Sequence, residues 1–99
     1  MPKGYWIGCY REIKDPAALR EYAKLGDPVI SAAGGRIVAL GTPAKTFEAG
    51  MSLRTIVIEF DSVASAVAAY ESPAYQEVRR VLGDSVVRDI RIVEGNRDS

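Results

Sequence analysis

The chain has 99 residues, with thirteen basic side chains balancing thirteen acidic ones, one cysteine and no histidine. Hydrophobic residues make up 47% and charged residues 26%, a globular composition that argues against disorder. A neutral chain without a basic block lacks the footprint of a nucleic-acid binder, one cysteine makes no internal disulfide, and the missing histidine removes Ser-His-Asp and Cys-His chemistry and a His-ligated haem.

The first predicted element is a strand over Gly4 to Arg11. Tyr5, Ile7 and Cys9 fall on one face; Trp6, Gly8 and Tyr10 fall on the other. A strand apolar on both faces is usually covered on both. Asp15-Pro16 then reads as an N-cap followed by proline at the first helical position. Leu19, Tyr22, Ala23, Gly26, Ile30 and Ala33 follow at helical spacing. Pro28 falls inside this pattern, so a kink or a break into two helices is expected. Gly34-Gly35 supplies the stop.

Arg36 to Gly41 is the second strand. Thr42 to Ser52 reads mostly as loop, with Lys45 to Glu48 as a short extension or edge strand. Leu53 to Phe60 is the clearest strand, with Ile56, Ile58 and Phe60 on one face and Thr55, Val57 and Glu59 on the other. Asp61-Ser62 caps a helix whose buried stripe is Val63, Ala66, Val67 and Tyr70. Ser72-Pro73 restarts the capping signal, and Tyr75, Val78, Val81 and Leu82 form a second stripe before Gly83. Val86 to Glu94 is the last strand. Residues 1–95 read as one domain and 96–99 as a polar tail.

The order strand, helix, strand, strand, helix, strand is the split βαβ arrangement of the ferredoxin-like fold. This is an α+β architecture, an antiparallel βαββαβ sheet with helices on one face. The opposite face then carries Tyr5, Ile7, Val57 and Val93, too apolar a patch for a monomer. A homodimer joined through the sheet faces would bury it.

The polar residues on that outer face are Cys9, Arg11, Thr55, Glu59, Asp89 and Arg91. A carboxylate, a guanidinium and a thiol over an apolar floor could hold a small ligand, and Tyr5, Cys9, Arg11, Glu59 and Arg91 are the candidate binding set. Glu59 is the best candidate general base, because a carboxylate on an apolar sheet can have a raised pKa. Arg91 or Arg11 would stabilise an anionic oxygen. The competing reading makes Glu59 and Arg91 a cross-strand ion pair and Cys9 an inert buried residue. Trp6, Tyr22, Tyr70 and Tyr75 read as core by default, with Trp6, Tyr5, Tyr22 and Tyr70 also open as aromatic substrate contacts. No metal or cofactor motif stands out, so no cofactor is expected.

Five segments together carry a family resemblance: KGYWIGCYREIKDPAALREY, AAGGRIVALG, LRTIVIEFDS, YESPAYQEVR and IRIVEG. From Lys3 to Gly95 the chain resembles bacterial proteins classed as domain of unknown function 1330. The resemblance implies a dimeric α+β barrel of the ferredoxin-like superfamily. That superfamily also holds antibiotic-biosynthesis-type monooxygenases, muconolactone isomerases and stress-response dimers. The chain departs from those enzymes in having no histidine and only one asparagine, Asn96.

Two functions compete. The first is a small-molecule-binding homodimer, and within it a cofactor-independent enzyme, monooxygenase- or isomerase-like, acting on a small aromatic or lactone-like compound. The second is a non-enzymatic stress-related or assembly dimer without a ligand cavity. The first ten residues are too short and polar for a signal peptide, and no apolar run approaches the ~20 residues of a membrane span. A cytoplasmic protein with neither membrane nor nucleic-acid partners is therefore expected.

Overall fold

A computed structural model describes residues 2–96. The expected tail, 96–99, lies outside the described residues except for Asn96. The elements are β1 (Gly4–Ile13), α1 (Pro16–Ala32), β2 (Arg36–Gly41), β3 (Thr55–Phe60), α2 (Val63–Glu71), α3 (Pro73–Leu82) and β4 (Val86–Glu94). The four strands form one sheet in the order β2-β3-β1-β4, with every neighbouring pair antiparallel. This is the ferredoxin-like α+β fold.

Helix starts follow the capping chemistry of the sequence. The Asp15 carboxylate accepts from the backbone N–H groups of Ala17 and Ala18, and Pro16 needs no donor at the first helical position. Ser62 accepts from the Ser65 N–H and Ser72 from the Tyr75 N–H. Ser72 with Pro73 therefore ends α2 and starts α3 in an extended residue, which turns one expected helical region into two helices.

Two local expectations are corrected. The helix does not divide at Pro28; α1 runs unbroken through it. Proline there removes one backbone donor, while Tyr22, Gly26 and Ile30 stay buried on both sides of it along the helix, so only the expected break is overturned. Lys45 to Glu48 forms no strand. Glu48 takes a positive φ of 51°, and Gly50 N–H bonds back to the Phe47 carbonyl, so the segment closes on itself in a turn.

The core lies between the helices and the inner sheet face. Trp6, Ile58, Phe60 and Tyr75 are its largest fully buried side chains. Trp6 meets Tyr75 edge-on at 5.0 Å between ring centroids and Tyr70 at 5.3 Å, the favoured geometry for aromatic pairs. Gly35 is needed where α1 hands over to β2: a Cβ there would stand 2.6 Å from Ile30 and 2.8 Å from Phe60. α2 lies on β1, β3 and β4, whereas α1 rests chiefly on α3. That leaves space between α1 and the sheet.

Among the described residues no helix is long and apolar enough to cross a membrane.

Candidate functional site between the first helix and the sheet

The space under α1 is a cavity of about 430 Å³. Its floor is the inner sheet face, with Trp6 and Tyr10 from β1, Ile56 and Ile58 from β3, and Arg88 from β4. Its roof is α1, through Leu19, Tyr22, Ala23 and Ile30. Arg20, Asp27 and Arg54 also border it. The volume falls within the ~300–1,000 Å³ of ordinary small-molecule sites.

The polar centre of this wall is built by four elements. Antiparallel pairing sets Tyr10 of β1 opposite Arg88 of β4, on the inner face. The α1 stripe brings in Tyr22, and the Ser72-Pro73 restart brings in Tyr75. The Tyr22 and Tyr75 hydroxyls lie 2.5 Å apart, and Arg88 Nη1 donates to both at 3.3 Å. The guanidinium also lies over the Tyr22 ring at 5.3 Å and the Tyr10 ring at 5.9 Å, within cation–π range.

Burial, followed by the neighbouring Tyr75, pushes the Tyr22 phenol well above its ordinary value. It stays a neutral hydroxyl at working pH. Burial pulls the other way on Arg88, but the two phenol oxygens more than offset it and hold the guanidinium charged. Among the described residues no carboxylate pairs with Arg88. Arg88 also borders a second, more polar cleft of about 390 Å³ beside Gln76, Arg79 and Arg80.

The residues singled out from sequence sit elsewhere. None of Tyr5, Cys9, Arg11, Glu59 and Arg91 lines the cavity under α1. They share the outer sheet face as expected, but their pairing differs. Glu59 accepts from the Tyr5 hydroxyl at 2.9 Å and from Arg36 Nη2 at 2.6 Å. Arg91 instead grips Asp89 through Nε and Nη2, at 3.1 and 3.0 Å, and Arg11 reaches the same carboxylate at 3.2 Å. The expected Glu59–Arg91 ion pair is therefore replaced by two separate clusters. The cause is β2, whose register sets Arg36 directly opposite Glu59.

The Arg36 hydrogen bond, and then that of Tyr5, hold the Glu59 carboxyl below the usual carboxylate range. This reverses the raised pKa expected of a general base. Cys9 is half-buried, its thiol 3.9 Å from the Thr55 hydroxyl.

Sequence reasoning missed Arg88 as a site residue; Tyr22 and Tyr75 do lie in the core, as expected, and Tyr22 and Trp6, also named as possible substrate contacts, line the cavity. The usable signal was the β4 alternation. Ile90 and Ile92 face the helices, so Arg88, two residues earlier, must face them too. An arginine at an inward position of a strand calls for an explanation.

A four-stranded sheet in this order, backed by helices on one face and hollowed beneath the first, defines a ferredoxin-like α+β domain with an internal pocket. The chain belongs to the family described as Domain of unknown function (DUF1330), whose model matches residues 3–96. Solved structures share the fold at low identity. A protein of unknown function from Rhodopseudomonas palustris is 16% identical, with a TM-score of 0.70 over 97% of this chain and 84% of that one. A candidate antibiotic biosynthesis monooxygenase from Nitrosomonas europaea is 15% identical, with a TM-score of 0.65 over 100% and 96%. A dimeric ferredoxin-like protein of unknown function from Thermobifida fusca is 13% identical, with a TM-score of 0.65 over 94% and 91%. Comparison with curated proteins finds no significant match.

Proposed function

We propose that the protein is a homodimer that binds a small, mainly apolar molecule in the cavity between α1 and the sheet. The observation that carries this reading is the cavity itself: about 430 Å³, walled by Trp6, Ile56, Ile58 and Leu19, with the Tyr22 hydroxyl and Arg88 among its polar groups. Convergent polar groups on an apolar wall are the usual make-up of a ligand site. A filled interior would have favoured a purely structural dimer, and this interior is not filled.

The outer sheet face supports the dimer. Val93 is 48% exposed, and Tyr5, Ile7 and Val57 beside it are half-buried. We assign Tyr5, Cys9, Arg11, Glu59 and Arg91 to this contact face. The dimeric relative from Thermobifida fusca shares the fold. A cofactor-independent reaction on a small aromatic or lactone-like compound is the enzymatic form of the proposal. It draws support by analogy from the Nitrosomonas europaea relative.

The test is thermal melting with a panel of small aromatic and lactone compounds. Binding raises Tm in the wild type. Ala23→Trp, which places a large ring at the cavity wall, should abolish the rise. A panel that shifts nothing, or shifts both proteins alike, overturns the cavity reading.

A further inference from the structure

Three arginines on the sheet can be compared directly. On the outer face, Arg91 presents its Nε and Nη2 to Asp89, and Arg36 presents the same two nitrogens to Glu59. Arg91 meets both Asp89 oxygens, the side-on fork by which guanidinium matches carboxylate, while Arg36 puts both nitrogens on one Glu59 oxygen. On the inner face, Arg88 uses only Nη1, on two phenol oxygens. Among the described residues its Nε–Nη2 fork has no hydrogen-bond partner.

Charge gives the same direction. Arg20, Arg54 and Arg88 border the cavity against a single acid, Asp27. The cleft on the other side of Arg88 adds Arg79 and Arg80. Arg80 is paired with Glu77, whereas Arg79 donates to the neutral Gln76 side chain and lies over the Tyr70 ring. Among the described residues the Arg88 guanidinium has no counter-charge. An incoming anion would supply one and meet a fork already fixed in place by Tyr22 and Tyr75.

We propose that the ligand is an organic carboxylate on an apolar body, with its carboxylate on the Nε–Nη2 fork of Arg88 and its body against Trp6, Ile56 and Ile58. This rests on the reading of the cavity as a ligand site, and it narrows that reading to one chemical class. The tyrosine pair has a positioning role. It takes up Nη1 and leaves the carboxylate-shaped edge for the ligand.

The experiment is calorimetric titration with two probes of one shape, naphthalene-2-carboxylate and its neutral amide, naphthalene-2-carboxamide. The wild type should bind the carboxylate at least about tenfold more tightly, the ratio expected for charge-assisted hydrogen bonds over neutral ones. Arg88→Met should erase the preference, lowering carboxylate affinity far more than amide affinity, with circular dichroism confirming the fold. Arg88→Lys, which keeps the charge but loses the fork, should keep only part of the preference. Equal wild-type affinity for the two probes overturns the carboxylate proposal and leaves the cavity reading intact. A preference that survives in Arg88→Met overturns it as well, because another group would then read the anion. If the wild type binds neither probe, the cavity reading falls and the carboxylate proposal falls with it.

Discussion

Replacing Arg88 by methionine should stabilise the unliganded protein. The interactions lost are modest. Both Arg88 hydrogen bonds are 3.3 Å long and end on neutral phenols. That is beyond the favoured distance for N–H donors, so about half a kcal/mol apiece is generous. The two ring contacts, at 5.3 and 5.9 Å, add about 0.5 kcal/mol each. The total loss is therefore about 2 kcal/mol. Tyr22 and Tyr75 are not left without partners, because each keeps the other's hydroxyl at 2.5 Å. Against this stands the removal of a guanidinium from a partly dry site without a counter-ion, an effective cost of several kcal/mol per ion. Methionine also fills irregular apolar space readily. The net expectation is about 1 kcal/mol of stabilisation, or a rise in Tm of about 4–8 °C for a domain of this size. Differential scanning calorimetry without ligand measures it. A Tm lowered by more than about 4 °C would make Arg88 a strut of the fold, and the functional argument for its unpaired fork would fail.

Two further outcomes test the outer face. Val57→Asp puts a charge at the centre of the proposed dimer contact, and sedimentation should find a folded species at the monomer mass of 10.7 kDa where the wild type runs at about twice that. A wild type that is already monomeric at micromolar concentration removes the sheet-to-sheet assembly. Glu59→Gln tests the Arg36 cluster through pH. The folded carboxyl lies below its ordinary 4.5, so its contribution to stability is present above that value and fades as pH falls through the lower folded one. Melting curves between about pH 5 and 2 should show the wild type losing stability more steeply than Glu59→Gln, and parallel curves would contradict the assignment.

The fold was legible because three independent signals agreed. Capping pairs at Asp15-Pro16, Ser62 and Ser72-Pro73 marked the helix starts, alternation set the strand faces, and element order set the topology. The outer face was legible for the same reason, since parity alone puts Tyr5, Cys9, Glu59 and Arg91 together. Their partners were not, because pairing needs register as well as face. Arg36 follows directly on Gly34-Gly35, and its position opposite Glu59 depends on where β2 starts along β3. A shift of one residue there would have sent the side chain to the other face. The cavity was hidden for a different reason. Periodicity shows which side of α1 is apolar, but the distance between that side and the sheet depends on α1 resting on α3.

The two faces of one sheet treat the same chemistry in opposite ways. On the outer face each carboxylate has arginine donors. Asp89 takes both Arg91 and Arg11, and Glu59 takes Arg36 with Tyr5 completing its shell. Such clusters are half-exposed and add little to stability, but they neutralise both carboxylates within the sheet. On the inner face one half-buried arginine is surrounded by rings and hydroxyls, with no carboxylate beside it among the described residues. Folding alone gives no reason to keep that charge. A leucine or methionine opposite Tyr10 would pack against the same rings without it, and the proposed carboxylate ligand would supply the reason. A dimer joined through the outer face would leave this side of the sheet, and α1 above it, free in both copies.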